Sequence, residues 1–426
     1  MAAAEFAALM AALPWSPSVA LGVAVSGGPD SMALMVLLHD WAVAQRVRLQ
    51  TFTVDHALRA EAAAEAAQVG RWCADLGVPH EILRWDHAPV TGRVQEQARQ
   101  GRYEVLAAAC ARHGIGVLAL AHHRDDQAET VLLRFAKGSG IDGLAGMRTV
   151  SKWGATLDAA HDLTLFRPLL TIPKARLIAT CVARGQEFVR DPGNETPRFA
   201  RGRLRAAAAA LAAEGLDADR LVDLAARAAL ASDALAEYTR RLLARAARYD
   251  AAGYAELDLA QCWAEPADIQ LRALTVLLRQ IGGAVYAPKQ ESLLEVLAAL
   301  REPEPARRTL QGCEISAVNG ICRVIREYAA LTARVALAPG QSLIWDRRFR
   351  VTLSAAAPEN LTVGPLGNLT HAQTDALAPG LRRKISMGRV RATFPALFHA
   401  QMLVGIPGYG VAADYAAVTV GSPDIS

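Results

Sequence analysis

The sequence predicts an α/β protein: an N-terminal doubly wound, mainly parallel sheet, followed by a helical domain and a small C-terminal α/β domain. Apolar runs of strand length alternate with helix-length segments over the first 136 residues. Ala, Leu and Arg then recur at helical spacing over 203–247, and short β-branched stretches return after a proline-rich segment at 301–309. Alternating strands and helices are typical of parallel sheets, because each parallel connection needs a crossover.

The first part of the chain contains four predicted strand and helix pairs. The strands are expected at 19–25, 49–54, 80–85 and 116–121, and the helices at 31–44, 60–75, 94–112 and 125–136. In such a sheet the carboxyl ends of the strands meet at one edge, where ligands bind. The turn after the first strand, His56 after the second and His123 after the fourth should therefore converge on one crevice.

The rest of the chain is predicted in less detail. Further helices are expected at 268–280 and 290–300, hairpin strands at 312–325 and 349–353, a loop at 356–367 and a mixed α/β unit at 382–420. A length of 426 residues is too great for one ordinary core. We therefore expect three domains, at 1–210, 211–330 and 331–426.

Composition predicts a soluble, cytoplasmic protein with no membrane partner. No apolar run reaches the roughly 18 to 20 residues of a membrane span, and the first basic residue is Arg46, so the positive start of a signal peptide is missing. Six cysteines occur without a C-x-x-C pair, which argues against zinc, iron–sulfur and disulfide frameworks. Only five of 46 basic residues are lysine. This arginine bias suits RNA contacts, although a G+C-rich genome produces the same bias.

The segment SGGPDS begins at Ser26, between the first predicted strand and helix. Unpaired N–H groups at such a helix start bind phosphate oxygens. Gly27 and Gly28 let the backbone approach closely, and Ser31 adds a hydroxyl donor. Asp30 would repel a bare polyphosphate, so it fits a ligand of Mg²⁺. An ordinary turn is the alternative, and the lysine-bearing P-loop motif of kinase-like proteins is absent.

A second cluster, AHHRDDQAET, begins at Ala121. Asp126 and Glu129 are three positions apart, so a helix starting here places both carboxylates on one face. We interpret the pair as functional because it follows a strand of the same sheet; acidic residues that only oppose the helix dipole are the alternative. A metal bound by both His122 and His123 is less favoured, because adjacent side chains on a strand point to opposite faces.

Together these segments resemble the tRNA(Ile)-lysidine synthetase family. The resemblance covers about the first 205 residues and rests, in order, on SGGPDS, VDHALR, QEQARQGRY, AHHRDDQAET, FAKGSGIDGLAGM, RPLL and DPGNETPRFARGRLR. SGGxDS alone indicates only the wider PP-loop ATP pyrophosphatase superfamily, which has an adenine nucleotide alpha hydrolase-like fold and cleaves ATP between its α and β phosphates. The later segments narrow the resemblance to the lysidine synthetases.

The resemblance implies a ligase that converts the wobble cytidine of a tRNA(Ile) with a CAU anticodon into lysidine. Such enzymes use free L-lysine, ATP and Mg²⁺. The cytidine C2 oxygen is first adenylated, which releases pyrophosphate, and the ε-amino group of lysine then displaces AMP. Residues 1–210 would form the PP-loop catalytic domain, and residues 211–330 would contact the tRNA or substrate.

Site roles follow from the same resemblance and from the residue chemistry. We expect ATP contacts from Ser26, Gly27, Gly28, Pro29, Asp30, Ser31, His56 and His123. The predicted catalytic residues are Asp30, which would also hold Mg²⁺, and the lysine-binding residues Arg102, Asp126 and Glu129. Contacts to the tRNA backbone are expected from Arg198, Arg201, Arg203 and Arg205.

Several alternatives stay open at this stage. Arg102 and Glu96 could form a salt bridge on a helix surface, His123 could be structural, and the arginine run could be a solvated helix face. Another PP-loop tRNA-modifying enzyme, or a non-catalytic RNA-binding protein with this fold, is a competing function. The missing C-x-x-C pair disfavours a thiolase, and the retained carboxylates disfavour a non-catalytic protein. The sequence also leaves open whether the chain forms a homodimer.

Overall fold

A six-stranded sheet lies at the centre of the N-terminal unit. The computed structural model describes residues 1–11, 20–55, 62–85, 94–153, 163–189, 200–284, 286–302, 307–331 and 333–420. The strands of this sheet are β1 Ala20–Ala24, β2 Arg48–Asp55, β3 His80–Arg84, β4 Val117–Ala119, β5 Val150–Trp153 and β6 Leu163–Phe166. Their order is β3-β2-β1-β4-β6-β5, and β5 with β6 is the one antiparallel pair of this sheet. The predicted mainly parallel sheet is confirmed.

The helices of this part of the chain lie partly where the sequence predicts them: those at 29–45, 62–75, 94–112 and 124–136 and the helical region at 200–246 were expected, whereas those at 3–10, 141–144 and 174–183 were not. They are α1 Ala3–Met10, α2 Pro29–Gln45, α3 Ala62–Asp75, α4 Val94–Arg112, α5 Arg124–Ala136, α6 Ile141–Leu144, α7 Lys174–Ala183, α8 Ala200–Ala213 and α9 Ala218–Ala246. The predicted bounds of the first four strand and helix pairs agree with the observed ones to within a few residues. Pattern reading succeeds here because the apolar runs are long and are separated by polar turns.

Apolar cores cover both faces of the sheet. Leu21 and Val23 of β1 pack into a core that includes Met32 of α2, whereas Ala20 packs into the opposite core with Phe52 and Leu118. Successive side chains of a strand point to opposite faces, so a strand covered on both sides is apolar throughout. The charge-free run before SGGPDS reflects this double burial.

The order of the strands creates a crevice at one edge of the sheet. β1 lies between β2 on one side and β4 on the other, so the chain connections diverge where β1 and β4 are neighbours. Ligands of doubly wound sheets bind at the carboxyl ends of such strands. The loop at Ser26 follows β1, and His123 follows β4, so both lie at this position.

The second compact unit, Asp233–Ser426, contains antiparallel sheets of five, four and three strands. Its strands are β7 Ala247–Asp250, β8 Tyr254–Asp258, β9 Arg308–Leu310, β10 Cys313–Val318, β11 Ile321–Arg326, β12 Val335–Leu337, β13 Ser342–Trp345, β14 Phe349–Leu353, β15 Leu361–Pro365, β16 Pro395–His399, β17 Met402–Gly405 and β18 Ala416–Val420. Its helices include α10 Leu259–Trp263, α11 Ala267–Gly282, α12 Gln290–Ala299, α13 His371–Leu377, α14 Leu381–Lys384 and α15 Gly388–Ala392.

The structure differs from the sequence prediction at several places, among them the following three. Strands β7 and β8 interrupt the region that was predicted to be helical. The hairpin was missed because its strands are short and lie between alanine-rich helices. Strand β15 lies inside the predicted loop at 356–367. Its Leu361 and Val363 are buried on either side of the less buried Thr362, but prolines and glycines occur close by in the sequence. Strands β5 and β6 were not predicted either, since each has only four residues.

The boundaries of the compact units differ from those expected. The first unit comprises Met1–Ala155 and Ala159–Ser232, so the division falls within α9. The second unit contains two apolar cores. One is built around α11, β8, β10 and β11, and the other around β14, β15 and β16. The three domains expected from composition remain a prediction.

The six cysteines are buried and free. Burial raises the pKa of Cys110, Cys313 and Cys322 to about 12, so these thiols behave as small apolar side chains. None of the helices in the described part of the chain has the length and apolar character that crossing a bilayer requires.

Candidate active site

The turn between β1 and α2 is held by its own hydroxyl groups. Ser31 Oγ accepts a hydrogen bond from the Ser26 amide at 3.1 Å, lies 3.2 Å from Ser26 Oγ, and donates to the Gly28 carbonyl at 3.0 Å. Ser31 is buried, so its hydroxyl fixes the turn from the inside. The two serines therefore stabilise the loop.

The two glycines of the turn have different roles. Gly27 has a φ of +83°, and a Cβ there would come within 2.9 Å of the Val69 side chain, so only glycine fits. Its carbonyl accepts a 2.8 Å hydrogen bond from Val189. A Cβ on Gly28 would meet nothing closer than 3.8 Å, which leaves this residue open to an approaching group.

The start of α2 has the properties of an anion site. Gly28 is the N-cap residue, Pro29 occupies the first turn, and no described side chain caps the helix. The first N–H groups of a helix lack partners within the helix, and the helix dipole makes this end positive. The turn therefore presents backbone donors to an anion, as the phosphate interpretation of SGGPDS requires.

Asp30 lies where this turn meets the loop after β4. Its Oδ2 atom is 3.5 Å from His123 Nε2 and 3.8 Å from Lys174 Nζ. Its Oδ1 atom is buried and has no hydrogen-bond partner in the described part of the chain. A buried carboxylate oxygen without a donor is costly unless a cation or a bound ligand contacts it.

His123 begins α5 as its N-cap residue. Its Nδ1 atom accepts hydrogen bonds from the amides of Asp125 and Asp126, and Asp126 Oδ2 accepts one from the His123 amide at 3.2 Å. The ring proton therefore lies on Nε2, facing Asp30 and Asp126. Burial opposes protonation of the ring, but the hydrogen bond to Asp30 and the neighbouring carboxylates raise the pKa of His123 overall.

Asp126 and Glu129 share one face of α5, as their spacing predicts. Glu129 is only 7% exposed. Arg205 of α8 donates from Nε to Glu129 Oε1 and from its Nη2 atom to Oε2 at 3.3 Å, and the same Nη2 atom lies 3.7 Å from Asp126 Oδ1. These carboxylates raise the pKa of Arg205, although burial of the guanidinium opposes the rise. The acidic pair thus binds a cation supplied by the protein itself.

A cavity of about 1190 Å³ joins these groups. It is lined by the turn between β1 and α2, by Asp126 and Glu129 together with Arg205, and by Arg102 and Tyr103 of α4. The guanidinium of Arg102 also lies 5.7 Å from the centre of the Tyr103 ring. One cavity is therefore lined both by the turn at the start of α2 and by the carboxylates of Asp126 and Glu129.

Most of the predicted site residues reach this cavity. The structure places there Ser26, Gly28, Pro29, Asp30, Ser31, Arg102, His123, Asp126, Glu129 and Arg205. Gly27 does not line the cavity and instead packs behind the turn. Arg203 is exposed on α8. His56, Arg198 and the side chain of Arg201 lie outside the described residues.

Sequence reasoning missed Lys174. This residue begins α7, its amide donates to Asp125 Oδ2 at 3.2 Å, and its side chain lines the cavity beside Asp30. The signal was present, because Pro173 and Lys174 follow β6, another parallel strand of the sheet. The rule that identified the loops after β1 and β4 also applies to that strand end.

The chain is similar to known proteins over most of its length. A family model described as a PP-loop domain matches residues 2–210. A tRNA(Ile)-lysidine synthase from Rhodopseudomonas palustris is 44% identical over 322 residues, which cover 71% of this chain and 89% of the relative. The synthase of the same name from Ruegeria pomeroyi is 39% identical, covering 78% of this chain and 76% of the relative. One from Anaplasma marginale is 29% identical over 416 residues, covering 90% of this chain and 85% of the relative.

These relatives decide between the functions that the sequence left open. Their similarity extends well past the PP-loop domain, so it is not confined to the nucleotide-binding fold. A non-catalytic RNA-binding protein, or a different tRNA-modifying enzyme of the superfamily, is not favoured. The chain belongs to the tRNA(Ile)-lysidine synthase family, whose members are ATP-using PP-loop ligases.

Proposed function

We propose that this chain ligates free L-lysine to C2 of the wobble cytidine in a tRNA(Ile) with a CAU anticodon, consuming ATP and releasing AMP and pyrophosphate. The observation that carries the proposal is that the anion-binding turn and the acidic pair line one cavity, with Asp30 and His123 in contact between them. Adenylation and amine attack require such neighbouring sites, because the two steps take place at one cytidine.

The first step takes place at the turn. The cytidine C2 oxygen attacks the α-phosphorus of ATP, and the bond to the leaving pyrophosphate breaks. We assign ATP binding to the α2 turn, with Lys174 as a nearby cation that offsets the phosphate charge. Donors fixed before the reaction stabilise developing charge without reorganising, which is why a turn held by Ser31 suits this role.

Mg²⁺ fits the carboxylate of Asp30. No cluster of three or more metal-ligating side chains occurs among the described residues, but Mg²⁺ is commonly held by one or two carboxylates together with phosphates and water. The unpartnered Oδ1 of Asp30 supplies one such ligand. When bound, the ion would neutralise charge on the phosphates.

The second step requires the ε-amino group of lysine to attack C2 while the bond between C2 and the adenylate oxygen breaks. We assign Asp126 and Glu129 to the ammonium and Arg102 to the other end of the amino acid. A carboxylate pair in a partly closed cavity attracts the ammonium. The amine must then lose a proton before it attacks. AMP leaves with the former C2 oxygen.

We assign backbone contacts with the tRNA to Arg198, Arg201 and Arg203, because their basic side chains follow one another closely in the sequence and Arg203 is exposed on α8. Arg205 belongs to the same run, but its guanidinium contacts Glu129. The substrates also place the enzyme in the cytoplasm under this proposal.

Incorporation of labelled lysine tests the function directly. Purified protein, ATP, Mg²⁺ and an unmodified tRNA(Ile) transcript with a CAU anticodon should give labelled tRNA, AMP and pyrophosphate in equal amounts. A transcript with U in place of the wobble cytidine is the matched control and should remain unlabelled. Folded protein that leaves the CAU transcript unlabelled would contradict the proposal.

A further inference from the structure

Arg205 occupies the cation position of the acidic pair. Two of its nitrogen atoms contact the two carboxylate oxygens of Glu129, and its Nη2 atom lies within 3.7 Å of Asp126. Glu129 is nearly buried, so few other directions remain from which a cation could approach it. In this arrangement Arg205 neutralises one of the two negative charges that we assign to the substrate ammonium.

A guanidinium and an ammonium compete for these oxygens. Paired with Arg205, Glu129 and Asp126 keep only one of their two negative charges to attract a second cation, and Arg205 itself repels that cation. Displacement of Arg205 without a new anionic partner would leave its charge uncompensated in a partly buried position. Free lysine alone is therefore poorly suited to open the subsite.

The same cavity supplies an alternative partner for Arg205. Its side chain is about one third exposed, and it lines the cavity together with Gly28, Asp30 and Ser31 of the anion-binding turn. A guanidinium forms paired hydrogen bonds with phosphate as readily as with carboxylate. A nucleotide bound at the turn would place phosphates in the cavity that Arg205 already faces.

We propose that Arg205 exchanges between Glu129 and a phosphate of the bound nucleotide, and thereby makes lysine binding depend on prior nucleotide binding. This inference rests on the proposed function, since it takes Asp126 and Glu129 as the lysine subsite. Arg205 is a positioning residue in this scheme. It controls access of the amine, so that lysine enters after the activating nucleotide. By linkage, lysine must tighten nucleotide binding by the same factor.

Equilibrium binding of labelled lysine tests the exchange. Affinity is measured for the full chain with and without Mg²⁺ and the non-hydrolysable analogue adenosine 5′-(α,β-methylene)triphosphate. For the wild type, we expect the analogue to tighten lysine binding by about tenfold or more, within the usual range of coupling between two sites. For Arg205→Ala, lysine should bind tightly without the analogue, and the analogue should add little.

Two further variants distinguish exchange from loss of structure. Arg205→Lys keeps a cation that can move between the same partners, and it should restore most of the nucleotide dependence. Arg112 also pairs with a glutamate, Glu81, at 2.6 Å, but it lies outside the cavity. The control variant Arg112→Ala should therefore bind lysine with the same nucleotide dependence as the wild type. A melting temperature near that of the wild type shows that Arg205→Ala is folded.

Two results would overturn the role of Arg205. One is equally tight lysine binding by the nucleotide-free wild type and Arg205→Ala; the other is tightening by the analogue to the same extent in both. Incorporation of lysine into tRNA by the wild type is measured separately. Incorporation without nucleotide-dependent lysine binding rejects only the exchange, whereas the absence of incorporation rejects the proposed function.

Discussion

His123 Nε2 lies 3.5 Å from Asp30 Oδ2, so the N-cap residue of α5 contacts the carboxylate in the first turn of α2. This contact joins the loops that follow two neighbouring strands, β1 and β4. The residue that starts one helix thereby also positions the carboxylate that we assign to Mg²⁺ at the other helix. One imidazole thus both caps α5 and contacts the carboxylate that we assign to Mg²⁺.

Replacing His123 should separate these two roles. Asparagine is among the best N-cap residues, so His123→Asn should retain the capping of α5 but lose the contact with Asp30. His123→Ala loses both and should cost about 1 kcal/mol of stability in addition. Denaturant unfolding of both variants measures the effect of the cap, and pyrophosphate release measures the effect of the lost contact with Asp30. Equal unfolding midpoints for the two variants would show that the cap contributes nothing.

Asp30→Asn should abolish most adenylation. The amide keeps the size of the side chain but removes the negative charge that faces the phosphates and Mg²⁺. We expect pyrophosphate release to fall by roughly 10² to 10³-fold, the scale of losing one electrostatic contact at a reacting centre. The assay contains tRNA and ATP but no lysine, so it reports the first step alone. Wild-type rates in this variant would exclude Asp30 from the reaction.

Asp126→Asn should mainly weaken the use of lysine. Its amide oxygen can still accept the hydrogen bond from the His123 amide, so the start of α5 is preserved. Loss of a charged hydrogen bond costs about 1.5 to 3 kcal/mol, which corresponds to a rise of roughly 10 to 100-fold in the KM for lysine. The KM for ATP, measured in the same reactions, should change little. An unchanged KM for lysine would contradict the assignment.

Lys174→Met should weaken the handling of the polyphosphate. Methionine keeps most of the aliphatic length but removes the ammonium that lies 3.8 Å from Asp30 Oδ2. We expect the KM for ATP to rise by about tenfold, the effect of losing roughly 1.4 kcal/mol of binding, with Lys174→Arg closer to the wild type. Lys289→Met, at the start of α12 in the second unit, is the matched control. A similar change in both variants would point to a general charge effect.

Asp346→Asn should destabilise the second unit. Asp346 is buried between Arg326 and Arg348, with contacts of 3.0 Å and 2.8 Å. Burial lowers the pKa of Arg348 to about 10, and the carboxylate opposes this shift. Removing the shared anion leaves two buried cations unpaired, at a cost of about 3 to 5 kcal/mol. Asparagine tolerates the left-handed backbone at this position, where φ is 49°, so the substitution adds no backbone strain. The free energy of unfolding in urea should therefore fall because of the lost charge.

Local patterns predicted much of the N-terminal fold. Strands with apolar residues on both faces, a glycine-rich turn and a helix opening with carboxylates are each encoded within a few consecutive residues. The short strands β7, β8 and β15 escaped because alanine, proline and glycine obscure their alternation. The division within α9 has no local sign in the sequence, since the helix is continuous from one compact unit to the other.

The sequence by itself determined the chemistry available at the sheet edge. It supplied a glycine-rich turn at Ser26 that is suited to phosphate, a candidate metal ligand at Asp30, and the carboxylates of Asp126 and Glu129 at helical spacing. Only the tertiary structure decided which cations face those carboxylates. Glu129 and Arg205 are 76 positions apart, and Lys174 reaches Asp30 from a separate helix. Such pairings depend on how helices pack around the sheet, and periodicity within one segment carries no information about a partner on another.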